Sequence, residues 1–175
     1  MASAEDKHSD TRFTTHEVTN QPPPLAPCDL YATDRPLQQA LVREGAGWAT
    51  ATVAAYGPIA GGEAMELGFT ANENKPKFKP FDRFGNRADE VEFHPAYHRL
   101  MQLGITNGVP NFAWRNAEMP GAHVARAALM YLHGQADQGT CCPMTMTYAS
   151  VPVFKHAPEL AKAWLPRITD RKSVV

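Results

Sequence analysis

Gly121-Ala122-His123-Val124-Ala125-Arg126-Ala127-Ala128-Leu129-Met130-Tyr131-Leu132-His133-Gly134-Gln135-Ala136-Asp137-Gln138 is the clearest helix in the chain. Val124, Ala127, Ala128, Tyr131, Leu132 and Gln135 recur at i, i+3, i+4, i+7, i+8 and i+11, the spacing of one helix face. That phase places Arg126, His133 and Asp137 on other faces, and Gly139 ends the helix. Such a stripe has to be covered by other elements, and the segments on either side supply further helices.

Downstream, Cys142-Pro143 opens a helical run through Met144, Met146, Tyr148 and Val151, which Pro152 is expected to kink or interrupt. Pro158-Glu159 starts a last amphipathic helix carrying Leu160, Ala163 and Trp164. Upstream, His94-Pro95 starts a helix with Tyr97, Leu100, Met101 and Ile105 in a stripe. Asp34-Arg35-Pro36 is a capping residue followed by proline in the first turn; that helix runs through Leu37, Ala40 and Leu41 to Gly45. Gly47-Trp48 leads into a second run through Val53 and Tyr56, with a break expected at Gly57-Pro58, loosening at Gly61-Gly62 and a third helix over 64–72. Phe81-Asp82-Arg83-Phe84-Gly85-Asn86-Arg87 reads as a hairpin, with Val91 and Phe93 alternating after it. The fold class expected is all-α: a helical bundle with one small β-hairpin and a disordered N-terminal arm. Residues 1–30 read as a disordered leader and a proline-rich extended arm, residues 31–169 as the helical domain, and residues 170–175 as a tail.

The 17 Lys and Arg balance the 18 Asp and Glu, so no net field draws the whole chain to nucleic acid or an anionic membrane. Three cysteines, Cys28 and the adjacent Cys141 and Cys142, make no disulfide framework and suit a reducing compartment. The polar start resembles no secretory signal and no apolar run spans a bilayer, so a soluble, cytoplasmic protein without a membrane partner is expected.

His94 and His98 stand four apart, as metal ligands on a helix do. Glu92, His123 and His133 are available as further ligands, but no second paired motif exists, and Pro95 leaves His94 outside the helix proper. Packed or surface histidines are the favoured reading, and no metal is expected. Cys141-Cys142 reads as a pair of thiols at a helix start rather than a redox pair. Lys75, Lys77, Lys79, Arg83 and Arg87 interleave with Phe78, Phe81 and Phe84, as on surfaces that bind single-stranded nucleic acid. The alternative is a solvated hairpin whose phenylalanines pin it to the core. No glycine-rich phosphate cradle and no catalytic set can be argued from spacing, so no catalytic and no cofactor-binding residues are assigned.

Four segments in order carry a resemblance: Arg43-Glu44-Gly45-Ala46-Gly47-Trp48, Val91-Glu92-Phe93-His94-Pro95-Ala96-Tyr97-His98, His123-Val124-Ala125-Arg126-Ala127-Ala128 and Cys142-Pro143-Met144-Thr145-Met146-Thr147. With Asn20-Gln21-Pro22 and Asp29-Leu30-Tyr31, they resemble the N-terminal helical domain of the AidB-type, alkylation-response branch of the acyl-CoA dehydrogenase superfamily. The resemblance implies a parent that is an FAD-dependent oxidoreductase with a middle β-domain, a C-terminal helical domain, a homotetrameric assembly and duplex DNA bound through its C-terminal part. It also implies that the helix following the long Gly121–Gln138 helix lines the acyl pocket, which makes Met144, Thr145, Met146 and Thr147 the candidate substrate-pocket residues. The family's Met-Thr-Glu-x-x-Gly-Gly-Ser-Asp flavin stretch does not occur after Leu165-Pro166. The expectation is therefore a fragment that partners the rest of its own polypeptide, is inactive alone and holds no FAD firmly. The alternatives are a stand-alone helical interaction module or a small nucleic-acid-binding domain using Lys75–Arg87. Asp170-Arg171-Lys172-Ser173-Val174-Val175 can be encoded by a common sequencing-adapter string read through to a stop, so this tail is expected not to be biological.

Overall fold

A computed structural model describes residues 20–23 and 25–170. The leader before Asn20 and the tail from Arg171 onward lie outside the described residues. α1 spans Arg35–Arg43, and its start follows the local chemistry: Asp34 caps it by accepting from Leu37 N at 2.9 Å, and Pro36 sits in the first turn. It buries Leu41, and the chain leaves it through Gly45 at φ +79°.

A short 3₁₀ turn at Gly47–Ala49 leads into α2, Thr50–Ile59. The break expected at Gly57-Pro58 does not occur. α2 passes through a π turn at Ala60–Ala64 directly into α3, Met65–Glu73, as one rod. Pro58 offers no N–H to the carbonyl one turn back, and the wider π turn just beyond it is where the ladder adjusts. The glycines serve a contact instead. Cys28 N donates to Gly61 O at 3.2 Å and Leu30 N to Gly57 O at 3.3 Å, so the arm lies directly on the rod. A Cβ at Gly57 would fall 2.2 Å from Asp29 Oδ1, and one at Gly61 would fall 1.9 Å from Cys28 O. Leu30 and Tyr31 are buried by this seating.

β1, Lys77–Phe81, pairs antiparallel with β2, Arg87–Glu92, and the register shifts between Lys79 and Phe81, where Pro80 has no N–H for the ladder. Asp82 Oδ1 accepts from Phe84 N and Asn86 N, and Gly85 takes φ +84°. The ribbon is exposed almost throughout. Phe78 and Phe81 are each 62% exposed and Phe84 74%, so they do not pin the hairpin to the core.

α4, Pro95–Thr106, starts as the sequence predicts and buries Leu100, Met101 and Ile105, with Leu103 and Gly104 added. After the short α5, Phe112–Arg115, comes α6, Ala122–Ala136, at the centre of the bundle. Its phase differs from the sequence reading. Ala122, Ala125, Arg126, Ala128, Leu129, Leu132 and His133 are buried, whereas Ala127, Gln135 and Tyr131 face solvent. α7, Cys141–Phe154, continues through Pro152, and α8, Pro158–Ile168, continues through Pro166. The stripe read on α8 is exposed, with Leu160 at 55% and Trp164 at 41%. Among the described residues no helix is long and apolar enough to cross a membrane.

Gly61→Ala is expected to cost roughly 1–3 kcal/mol in denaturant unfolding, because the methyl group must displace backbone rather than a flexible side chain. Gly62, whose Cβ position is open, is expected to gain about 0.5–1 kcal/mol as Ala, and equal effects at the two sites would refute this seating of the arm.

Candidate functional site

Two stretches far apart in sequence, around Tyr56 and over 133–140, meet at a buried polar chain. Tyr56 on α2 places its hydroxyl 2.5 Å from His133 Nδ1 on α6; His133 Nε2 lies 2.9 Å from Thr140 Oγ1; Thr140 Oγ1 and N lie 2.5 and 2.6 Å from Asp137 Oδ2. Asp137 as a carboxylate can only accept, so the Thr140 hydroxyl donates to it. That hydroxyl's lone pair then takes the Nε2 proton of His133, and the free Nδ1 accepts from Tyr56. Every member has one role, which sets the imidazole tautomer. Burial holds the ring neutral, moving its pKa down from 6.5 to about 4, with the Asp137 charge opposing weakly. Burial, with Cys141 nearby, raises the Tyr56 phenol far above its ordinary value, so it remains a donor.

The four pocket candidates on α7 do not share one side. Met144 is buried: a Cβ on Gly104 of α4 would lie 2.5 Å from its Sδ and 3.2 Å from His133 Cε1. Thr147 is half-buried, its hydroxyl donating to Pro143 O at 3.0 Å. These two line a small cavity of about 20 Å³ with Met101, Ile105, Asn111 and Ile168. Thr145 and Met146 point outward, Met146 being 69% exposed. Successive helix positions are about 100° apart, so four consecutive residues span all sides.

Beside α7, Arg126 is buried to 9% exposure. Its Nε donates to Val109 O at 2.9 Å, and its guanidinium carbon sits 4.0 Å over the Tyr148 ring. Tyr148 is held in turn by His123, whose Nδ1 is 2.6 Å from the phenol oxygen, and by Trp114, whose Nε1 donates to Tyr148 O at 2.9 Å. Neither this cluster nor the His133 chain was foreseen. The signal was present in a second set on the same helix, Ala122, Ala125, Leu129, Leu132 and Ala136, which also has helical spacing.

His94 caps α4, its Nδ1 accepting from Ala96 N at 3.2 Å, and His98 packs edge-on against Phe93 and Tyr97. Among the described residues no three His, Cys, Asp or Glu side chains gather as a metal site. Cys141 is half-buried, its thiol meeting Asp137 O at 3.3 Å, and Cys142 is exposed; both are free thiols. On the hairpin, Lys79 pairs with Glu92 and Arg87 with Asp89, so its basic residues are met by acids of β2. An open cleft of about 830 Å³ lies between α3, the start of α4 and the end of α6, lined by Met65, Phe69, Lys75, Tyr97 and Asp137 among others. Its charged lining is Lys75 and Asp137.

The family model described as the adaptive response protein AidB N-terminal domain matches residues 20–173. The chain belongs to the AidB N-terminal domain family. It is 45% identical over 162 residues to the acyl-CoA-dehydrogenase-like AidB of Escherichia coli (strain K12), covering 91% of this chain and 30% of that protein. Among solved structures, Caenorhabditis elegans ACDH-11 in complex with C11-CoA matches with a TM-score of 0.75 and 20% identity, over 97% of this chain and 30% of that one. The apo form of Bd2924 matches with a TM-score of 0.74 and 20% identity, over 82% of this chain and 30% of that one. At that identity the two structures establish the fold: an AidB N-terminal domain is built on the acyl-CoA dehydrogenase helical scaffold. The chain spans 30% of the length of these relatives.

The buried chain of this AidB N-terminal domain makes stability pH-dependent in a defined window. Between pH 6.5 and 4 the unfolded chain protonates His133 and the folded one does not, so stability falls as pH falls. The loss attributable to His133 is roughly 3 kcal/mol across the window, at about 1.4 kcal/mol per unit. Urea titrations at stepped pH on wild type and His133→Phe measure it as a difference: the variant is less stable at pH 7, but its slope in this window is shallower. Identical slopes would contradict the neutral imidazole.

Proposed function

We propose that this chain acts as the N-terminal helical domain of an AidB-type, acyl-CoA-dehydrogenase-like flavoprotein of the response to DNA alkylation. Its own contribution is a wall of the acyl pocket and packing between subunits. One observation carries this reading. α7 has no charged residue in its 14 positions, yet it buries only Met144 and Val151. A helix with no charged face and exposed apolar side chains suits the inside of a larger protein. Its exposed Met146 and Val153 join Leu160 and Trp164 of α8 in an apolar surface that water does not favour. A groove of about 550 Å³ lies between the two helices, lined by Phe154, Leu165 and Pro166 together with Lys155 and Lys162.

In this reading the rest of the polypeptide covers α7. Thr145 and Met146 then face the covering segment and form the acyl-pocket wall, with Met144 and Thr147 backing it from within. FAD, where bound, accepts the hydride of the dehydrogenation, and it is held mainly by parts of the protein beyond this domain. What this chain's residues do is exclude water and shape the pocket. The parent is a cytoplasmic homotetramer, and duplex DNA binds to its C-terminal part rather than to the hairpin, where five basic side chains between Lys75 and Glu92 meet four acidic ones.

Co-expression with the part of the Escherichia coli relative beyond its matched region tests this. The two chains are expected to co-purify with flavin absorbance, and this chain alone to be colourless and to bind an apolar-surface dye. Firm flavin binding by the lone chain, or no association in trans, would sink the proposal.

A further inference from the structure

We propose that the small cavity between α4, α7 and α8 is a binding site for one internal water molecule, which donates to Asn111 Oδ1 and to Thr147 Oγ1 and so fastens α7 to the body of the domain. The proposal stands apart from the reading of α7 as a pocket wall. Asn111 is 1% exposed, and its two amide atoms have different fates. Nδ2 donates to Asp170 O at 2.8 Å, just past the end of α8. A backbone carbonyl can only accept, so this bond fixes which amide atom is the nitrogen and leaves Oδ1 as an acceptor. Oδ1 is fully buried, and no protein donor reaches it. A buried acceptor left unanswered is costly, because its hydration is lost and nothing replaces it.

The size and the lining of the cavity select the ligand. Its volume is about 20 Å³, against the roughly 10–15 Å³ that one water needs, so it takes one molecule. Met101, Ile105, Met144 and Ile168 make most of its wall, and a hole lined by such side chains alone would stay dry. Asn111 is what changes that, and Thr147 supplies the second partner. The Thr147 hydroxyl spends its proton on Pro143 O at 3.0 Å, so towards any further partner it accepts. Pro143 and Thr147 both line the cavity. Two acceptors facing one small space call for a molecule with two donors on one atom, which is water. The bridge has a mechanical consequence. α7 buries only Met144 and Val151, so apolar packing holds it weakly. The water ties Thr147 on α7 to the residue that already holds the end of α8, and it turns the threonine hydroxyl inward.

Two substitutions at one position separate a wet cavity from a dry one. In the 175-residue chain, Thr147→Val and Thr147→Ile both remove the hydroxyl, and Ile alone adds a group that fills the cavity. Where water is bound, Ile displaces it and strands Asn111 Oδ1, so Tm is expected roughly 2–6 °C below that of Thr147→Val. In a dry cavity the added group fills apolar space and Ile melts above Val; that order, or equal Tm values, would overturn the proposal. A crystal structure of the wild-type chain reads the site directly. A water within about 3 Å of both Asn111 Oδ1 and Thr147 Oγ1 supports the bridge. A cavity without density, or Oδ1 bonded directly to Arg126 Nη2 or another protein donor, overturns it. If the lone chain shows no cooperative melt, the crystal structure decides, taken where necessary on a full-length chimera with residues 20–170 in place of the matched region of the Escherichia coli relative.

Discussion

The hydrogen-bond chain from Tyr56 through His133 and Thr140 to Asp137 sets where the helices of this domain meet. It joins α2, α6 and the entry to α7, and each donor has one acceptor. A buried polar chain of this kind tolerates no half-made state, because any displaced member leaves an unpaired group out of water. The surrounding packing follows from it. α4 can come close only because Gly104 leaves space for Met144 and the His133 ring, and α2 is held from the other side by the arm seated on Gly57 and Gly61. Interior volume alone would allow α6 to rotate among its alanines and leucines; the histidine allows one rotation.

That is also why the phase of α6 was not legible in the sequence. With Ala or Leu at most positions, two stripes have helical spacing, and the choice between them is made by a partner 77 residues away. Helix starts were legible because capping is local: Asp34, His94-Pro95 and Pro158 each act within one turn of themselves. The continuity of α2 into α3 was not, since Gly57-Pro58 carries the local signature of a break and the reason for its glycines lies in Cys28 to Tyr31. The four pocket candidates were legible as a helix, but not by side, since the sides of α7 cannot be told apart where no charged residue marks one as outer.

The domain is finished on one side and open on the other. Among the described residues the buried side-chain polar groups are answered, apart from Asn111 Oδ1 and Arg126 Nη2, and both of these lie toward α7 and α8. The exposed apolar side chains of those two helices are Met146 and Val153 on α7 and Leu160 and Trp164 on α8. Exposed apolar side chains have one physical remedy, a covering surface with an apolar body. Relatives more than three times as long as the matched region have the chain to supply it.

The hairpin shows how a charge run read along a chain overstates its field. Lys77 and Lys79 register against Glu92 and Glu90 across the ladder, and side chains two apart on one strand share a face. One face of the ribbon therefore carries two cations and two anions within a few ångströms, and a counterion atmosphere gains little by being displaced there. Phe78 and Val91 register on the opposite face, and both are more than half exposed. An interleaved Lys and Phe sequence thus separates into a neutralised polar face and an apolar one as soon as it becomes a strand. Of the two, only the apolar face has surface left for another body to cover.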